Sequence, residues 1–289
     1  MGLPGRIVVV GAGTMGNGIA QVFATAGVQV SMVDVQQEVV DRGMESIRKS
    51  LDRLVKKEKL TVDQAQQTLG CVEVGTSMES FVSRADLVIE AVTENTEVKK
   101  KIFSAADEAA PAEAILATNT SSISITVLAA ATGRADRVIG MHFMNPVPLM
   151  PLVEVIRGQD TSDETAASVM DYATSLGKTP VEASDYPGFV SNRVLLPMIN
   201  EAAYCLMEGV SSREGIDAIM RLGMSHKLGP LQLADFIGLD VCVSILDVLK
   251  DGLGDDKYRA CPLLRRMVAA GHLGRKSGRG FYDYRVEGR

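Results

Sequence analysis

A glycine-rich turn near the N-terminus constrains the fold of this chain more than any other feature. The turn, residues 11–16 (GAGTMG), follows the β-branched run Ile7–Val10 and opens a helical pattern that ends at Gly27. A second apolar run, 28–35, carries Asp34 near its end. Two strands joined by so short a helical connection lie parallel, with a right-handed crossover. The segment therefore predicts the first βαβ unit of an α/β sheet.

The pattern of elements changes at about residue 185. Before it, strands alternate with helices, and the later predicted strands are 72–74, 86–92, 114–118, 137–143 and 152–156. After it, the predicted helices are 190–208, 212–222, 230–250 and 260–271, followed by a short strand at Gly280-Phe281-Tyr282. We predict a Rossmann-type, doubly wound, mostly parallel α/β domain over residues 1–184 and a smaller all-helical domain over residues 185–289.

The composition is that of an ordinary globular protein. Hydrophobic residues make up 46% and charged residues 23% of the 289 residues, which excludes a disordered chain, and the net charge of −6 argues against nucleic-acid binding. No apolar run reaches the roughly 18 residues of a membrane span. A strand pattern that starts at about Arg6 leaves no signal peptide, and the four cysteines form no C-x-x-C pair. We expect a cytoplasmic protein with free thiols, no membrane contact and no metal site.

The glycine turn has the context of a dinucleotide-binding fingerprint, because a strand precedes it and a helix and an acidic residue follow it. Gly11 permits the tight turn, Gly13 lets the backbone approach a pyrophosphate, and Gly16 allows close packing of helix on strand. Asp34 would accept hydrogen bonds from ribose hydroxyls and repel a 2′-phosphate, which favours NAD(H) over NADP(H). The alternatives are a plain glycine turn with a capping Asp34, and FAD, although flavin enzymes usually need a larger chain.

His142 and Glu154 are the main candidates for acid–base chemistry. His142 ends a buried strand, and ligands of open α/β sheets bind at the carboxyl ends of strands. Glu154 lies within an apolar strand, where an unpaired carboxylate would be costly. A hairpin-like return through Asn145-Pro146-Val147-Pro148 would bring the two side chains together. The carboxylate would then fix the imidazole tautomer and leave the other nitrogen for proton transfer. A purely structural pair is the alternative.

Two further features, Ser121 and the basic segment 42–60, have a functional and a structural interpretation, and Asn192 is a candidate by its place in the chain. Ser121 closes another strand and could bond a substrate oxygen, or it could cap the helix that starts near Ser124. Asn192 lies just past Pro187-Gly188-Phe189, at the start of the second domain. The basic segment 42–60 could receive a phosphorylated carrier, or it could be a solvated helix face.

These motifs together resemble the 3-hydroxyacyl-CoA dehydrogenase family, and in size its short bacterial members. The matching stretches cover both domains and are Val9–Ile19, Val33-Asp34, Asp86–Asn95, Asn119–Ser122, Gly140–Pro146, Tyr186–Arg193, Leu228–Asp240 and Gly274–Tyr284. The resemblance implies a dehydrogenase that interconverts (S)-3-hydroxyacyl-CoA and 3-oxoacyl-CoA with NAD(H), with 3-hydroxybutyryl-CoA as the expected substrate. It also implies a homodimer formed through the helical domain.

The resemblance assigns roles to individual residues. His142 would be the general acid or base, Glu154 would orient it, and Ser121 and Asn192 would bond the 3-oxygen of the substrate. The positions that match cofactor contacts are Gly11, Ala12, Gly13, Thr14, Met15, Gly16, Asp34, Glu94, Lys99, Ser121, Asn145 and Lys276. The positions that match coenzyme A contacts are Ser50 and Lys57, with Ser121 and Asn192 at the reacting end.

Two rival functions remain open at this stage. A related sugar-acid dehydrogenase that acts on gulonate would share the His–Glu pair and the fold, although the basic segment 42–60 favours a CoA thioester. A non-enzymatic, lens-crystallin-like dinucleotide-binding protein would not need Ser121, His142, Glu154 and Asn192 together.

Overall fold

The structure is a computed structural model that describes residues 2–285. The chain divides into two compact units, Met1–Tyr186 and Pro187–Arg289. The predicted fold class, a mostly parallel α/β sheet followed by a helical region, is confirmed. Within residues 2–285, no helix combines the length and the apolar character that a membrane crossing requires.

The first unit is built on one eight-stranded sheet with the order β3-β2-β1-β4-β5-β6-β7-β8. Its strands are β1 (Arg6–Val10), β2 (Gln29–Val33), β3 (Val72–Gly75), β4 (Leu87–Glu90), β5 (Ile115–Thr118), β6 (Val138–Phe143), β7 (Leu152–Arg157) and β8 (Thr179–Ser184). All neighbours are parallel except β6 and β7, which are antiparallel. The first six strands thus have the order of a dinucleotide-binding sheet, and the reversal adds two more.

Helices cover both faces of this sheet. They are α1 (Thr14–Thr25), α2 (Gln37–Lys56), α3 (Val62–Gly70), α4 (Met78–Val82), α5 (Thr96–Ala109), α6 (Ile125–Ala129) and α7 (Asp163–Ser175). The central strands are largely apolar because both of their faces are buried: Val9 and Ile89 on one face have no exposed area, and Val8 and Val88 on the other are at most 2% exposed. The predicted helical stretch 36–70 is two helices, and a capping box of Thr61 and Gln64 starts the second.

The second unit is helical, with a core of its own. Its helices are α8 (Ser191–Met207), α9 (Arg213–Gly223), α10 (Pro230–Ile237), α11 (Leu239–Leu253) and α12 (Pro262–Ala269). Leu196, Leu246 and Leu264 are fully buried in that core. The prediction of one helix over 230–250 is wrong: Gly238, at φ 108°, ends α10 and starts α11. A left-handed backbone of this kind favours glycine, which explains the break.

The end of the second unit is a turn held by two buried aspartates, and the predicted strand Gly280-Phe281-Tyr282 is wrong. Asp235 accepts hydrogen bonds from the backbone N–H groups of Phe281 and Tyr282, at 2.8 and 2.9 Å. Asp217 accepts one from the Tyr282 hydroxyl at 2.7 Å. A Cβ on Gly280 would lie 1.8 Å from Asp235 Oδ1, so only glycine fits. Side-chain carboxylates replace the strand partner that this segment would otherwise need.

Candidate active site

The glycine turn forms a close junction between β1 and α1. Gly11 has φ 106°, and a Cβ there would lie 2.6 Å from the Ala91 carbonyl oxygen. A Cβ on Gly16 would lie 1.8 Å from the Gly11 carbonyl oxygen. Gly13 differs, because a Cβ there would meet nothing within 4 Å among the described residues. Gly11 and Gly16 therefore serve backbone packing, and Gly13 opens the N-terminus of α1 to a ligand.

A cleft of about 810 Å³ lies in front of this turn. Its lining includes Gly13, Thr14 and Met15 from the turn, and Asp34 from the end of β2. The lining also includes the apolar residues Val92, Val98 and Ile102. Asp34 Oδ2 accepts a hydrogen bond of 2.9 Å from the Ala12 N–H, so the same carboxylate fixes the turn and faces the cleft.

The reversal of strand direction brings His142 and Glu154 together. The two residues are directly paired across β6 and β7, and His142 Nδ1 lies 2.8 Å from Glu154 Oε2. Both side chains are buried, with 6% and 3% of their residue area exposed. Because an ionised carboxylate only accepts hydrogen bonds, Nδ1 is the donor in this contact. The predicted hairpin contact is present in the structure.

Ser121 lies at the second nitrogen of this imidazole. Its Oγ is 3.1 Å from His142 Nε2. The N-cap of α6 is Ser124, whose hydroxyl accepts from the Val127 N–H, so helix capping does not account for Ser121. The loop after β5 therefore places a hydroxyl at the nitrogen that is able to exchange a proton.

Glu94 holds the loop that carries Ser121. Its Oε1 accepts hydrogen bonds from Thr120 Oγ1 at 2.6 Å and from the backbone N–H groups of Ser121 and Ser122 at 2.9 and 3.0 Å. Burial acts to raise the pKa of Glu94, but the Lys99 ammonium and these hydrogen bonds outweigh it, so the pKa lies below its ordinary value. The carboxylate thus stays ionised and keeps accepting from the loop.

Lys99 lies beneath this site. Its side chain is 1% exposed, and its Nζ contacts both oxygens of Glu90 at 2.6 and 2.8 Å. The distance from Nζ to Glu94 Oε2 is 3.5 Å. The structure therefore places Lys99 in contact with the carboxylate that holds the loop, and its predicted contact with NAD stays a prediction.

The remaining predicted residues lie in several elements. In the first unit, Asn145 is exposed just after β6, Ser50 is half-buried on α2, and Lys57 is exposed at the C-cap of that helix. In the second unit, Asn192 is in the first turn of α8, and Lys276 Nζ pairs with Asp240 Oδ1 at 2.6 Å. Their contacts with ligands stay predictions.

Comparison with known families identifies both units. Residues 6–186 match the NAD-binding domain of 3-hydroxyacyl-CoA dehydrogenase, and residues 188–284 match the C-terminal domain of the same family. The chain belongs to the 3-hydroxyacyl-CoA dehydrogenase family. The predicted family, the enzyme class and the cofactor NAD(H) are thereby confirmed.

Relatives of this dehydrogenase match it over nearly their whole length. A probable 3-hydroxybutyryl-CoA dehydrogenase of Bacillus subtilis is 56% identical over 96% of this chain and 97% of its own. A probable 3-hydroxybutyryl-CoA dehydrogenase of Deinococcus radiodurans is 58% identical over 96% of this chain and 99% of its own. The crystal structure of (S)-3-hydroxybutyryl-CoA dehydrogenase from Ralstonia eutropha is 52% identical, with a TM-score of 0.94 over 97% of this chain and 99% of the other.

Five of the predicted site features of the dehydrogenase lie along one edge of its sheet. Asp34 follows β2, the glycine turn follows β1, Glu94 follows β4, Ser121 follows β5 and His142 ends β6. These five strands are successive neighbours in the sheet. A dinucleotide laid along this edge would meet the ribose acceptor, the open helix N-terminus and the imidazole in turn.

Sequence reasoning missed two residues of the dehydrogenase that support this edge. Glu90 is the last residue of β4 and is 1% exposed, and Thr118 at the end of β5 donates to it at 2.7 Å. The sequence feature that could have identified Glu90 is the one that identified Glu154, namely a carboxylate within an apolar strand. The same reasoning, applied to Asp86–Val92, would have predicted a buried partner for Glu90.

Proposed function

We propose that this protein interconverts (S)-3-hydroxyacyl-CoA and 3-oxoacyl-CoA with NAD(H), and that 3-hydroxybutyryl-CoA is its preferred substrate. The observation that carries the proposal is the buried His142–Glu154 pair with Ser121 at Nε2 of the imidazole, on the same sheet edge as the dinucleotide cleft. The relatives named as 3-hydroxybutyryl-CoA dehydrogenases support the choice of substrate.

In this mechanism the chain's own residues handle the proton. Glu154 accepts from His142 Nδ1–H, which keeps the Nε2 lone pair directed at the 3-hydroxyl of the substrate. Nε2 takes the hydroxyl proton during oxidation, and the imidazolium returns it during reduction; the Glu154 carboxylate stabilises that cation. Ser121 bonds the 3-oxygen and holds it at the imidazole. Bound NAD supplies the hydride acceptor.

The basic character of helix α2 supports the proposal that the substrate is carried by a group with phosphates. Ser50, Leu54 and Lys57 share one face of this helix and its end because they are spaced four and three residues apart. Leu54 and Lys59 line a cavity of about 390 Å³. We assign this face to the nucleotide of coenzyme A, with Lys57 as the cation for its phosphates.

The four cysteines and the second unit support the remaining assignments. Cys71, Cys205, Cys242 and Cys261 are all free, as is usual in a reducing compartment, which supports a cytoplasmic location.

The apolar side chains Ile219, Leu222 and Met224 are exposed at and just after the end of α9. A homodimer formed through the second unit would cover such residues.

An NADH oxidation assay tests the proposed function. The purified protein should oxidise NADH with acetoacetyl-CoA, and kcat/KM should fall as the 3-oxoacyl chain lengthens. Gulonate with NAD is the matched second assay, because a sugar-acid dehydrogenase would share the imidazole pair. Turnover of gulonate without turnover of acetoacetyl-CoA would refute the assignment.

A further inference from the structure

A buried carboxylate lies at the base of the candidate site and has no part in the proton transfer. Glu90 accepts hydrogen bonds from Thr118 Oγ1 at 2.7 Å and from the Val92 N–H at 2.6 Å. The Lys99 ammonium bonds both of its oxygens, at 2.6 and 2.8 Å. A buried carboxylate and a buried ammonium tolerate each other only because they are paired and further hydrogen-bonded.

The ammonium links this pair to the loop of Ser121. Lys99 Nζ is 3.5 Å from Oε2 of Glu94, which is longer than its two contacts with Glu90. Oε1 of Glu94 accepts from Thr120 Oγ1, Ser121 N–H and Ser122 N–H. Because Glu90 compensates most of the charge of the ammonium, Glu94 remains available to the loop.

We infer that Glu90 is a positioning residue of the reaction, and this inference rests on the proposed function. It acts through Lys99 and Glu94 to hold the Thr120–Ser122 loop, and thereby keeps Ser121 at His142 Nε2. Without the charge of Glu90, the buried ammonium has Glu94 as its nearest carboxylate. When the Lys99 ammonium and the Glu94 carboxylate move closer together, Glu94 is drawn away from the loop. Ser121 then loses the hydrogen bond that holds its backbone N–H.

A double-mutant cycle between Glu90 and Ser121 tests this chain of contacts. Glu90→Gln keeps the volume and removes the charge, and kcat with acetoacetyl-CoA should fall at least tenfold, since a misplacement of about 1 Å can cost about 10²-fold. In a Ser121→Ala background the same change should alter kcat by less than about twofold, because the supported hydroxyl is already gone. A structural defect unrelated to Ser121 would lower kcat by the same factor in both backgrounds, and that result overturns the inference.

Hydrogen exchange of the loop amides gives a readout that does not depend on activity. The Ser121 and Ser122 amides should exchange at least about tenfold faster in Glu90→Gln, because they lose Glu94 as their acceptor. Asp107→Asn is the matched control, since Asp107 also pairs with a partly buried cation, Arg134, and accepts from the Gly133 N–H at 2.7 Å. That control should leave the exchange of both serine amides, and kcat, within about twofold of wild type.

The variant Glu90→Gln/Lys99→Gln keeps the test decisive if Glu90→Gln alone does not fold. Removing both charges leaves no uncompensated ammonium, so this chain should fold. At about pH 8, where the Glu94 carboxylate stays ionised even without the Lys99 ammonium, the Ser121 and Ser122 amides of this variant should exchange at wild-type rates, because nothing draws Glu94 from the loop. Fast exchange in the double variant would overturn the inference. Wild-type protein without activity on any 3-oxoacyl-CoA would refute the proposed function instead, and the exchange data would still test the loop.

Discussion

The imidazole of His142 is held at both nitrogens by side chains of different character. Glu154 contacts Nδ1 and fixes the tautomer, whereas the Ser121 hydroxyl at Nε2 can yield its place to the oxygen of a substrate. The pair is almost completely buried, with 6% of His142 and 3% of Glu154 exposed. An uncharged replacement of similar size tests the role proposed for the ring in proton transfer separately from the fold.

His142→Gln should lower kcat by roughly 10²–10⁴-fold, the range for loss of a positioned acid–base group. The affinity for NADH should stay close to that of wild type, because the glycine turn and Asp34 are unchanged. Binding is measured by the fluorescence of NADH. Near-normal turnover in this variant would make the imidazole a structural residue.

Asp34→Ala should narrow the preference for NADH over NADPH. The carboxylate repels a 2′-phosphate, and its removal takes away that repulsion. It also removes the hydrogen bond to the Ala12 N–H, so kcat/KM with NADH should fall at the same time. The measurement is the ratio of kcat/KM for the two cofactors in wild type and variant. A wild-type enzyme that prefers NADPH would contradict the role of Asp34.

At the scale of elements, α2 is the helix to which the nucleotide of the substrate is assigned. Lys57→Ala should raise KM for acetoacetyl-CoA and leave KM unchanged for a truncated thioester without the nucleotide. The side chain is exposed, so the effect should be modest and should shrink with added salt. Lys49→Ala is the control, because Lys49 on the same helix pairs with Glu45 at 3.2 Å. Equal changes in KM for both substrates would mean that Lys57 belongs to a solvated helix face and does not bind the nucleotide.

The C-terminal turn of the second unit provides a prediction about stability. Gly280→Ala should lower the free energy of unfolding by about 1–3 kcal/mol, because the added methyl would overlap Asp235 Oδ1. Gly223→Ala is the matched control: it lies at the end of α9, and its Cβ would meet nothing within 4 Å among the described residues. Denaturant unfolding measures both variants. Equal stability of the two would mean that the turn adapts without cost.

Elements with a strong local pattern were predictable, and those that depend on distant partners were not. The glycine turn and the apolar strands β4, β5 and β6 follow from sequence because burial on both faces leaves a continuous apolar run. Strand β8 was missed: it lies at the edge of the sheet, is largely exposed, and contains Pro180, which is tolerated only at such an edge. In the site, the pairing of His142 with Glu154 was predictable from one costly buried carboxylate.

The loop support by Glu94 was not predictable in the same way. Glu94 is a polar residue in a polar segment, and nothing local indicates that its oxygen accepts from residues 26–28 positions further along the chain. The resemblance selected Glu94 and Lys99 as cofactor contacts. The structure adds contacts of both residues with protein groups, which only the three-dimensional arrangement of β4 and β5 creates.

At the scale of the whole molecule, the exposed apolar residues of the second unit predict self-association. Leu222 is 80% exposed at the end of α9, and Leu222→Glu should shift a dimer towards monomer. Val62→Glu is the control, because Val62 is 58% exposed on α3 of the first unit. Sedimentation equilibrium measures the mass. A wild-type monomer, or a Leu222→Glu variant that stays dimeric, would contradict this assignment.

Two contacts of the site join residues at different distances along the chain, because the reversal between β6 and β7 makes one of them local. His142 and Glu154 are 12 residues apart, whereas Glu94 and Ser122 are 28 apart. Loop-closure entropy grows as (3/2)RT ln n, so closing the longer loop costs about 0.7 kcal/mol more. The His142–Glu154 pair thus belongs to one hairpin, whereas the contact of Glu94 with Ser122 spans helix α5 and strand β5. A circular permutation that opened the chain between β4 and β5 would cut the covalent path of the second contact and leave that of the first intact.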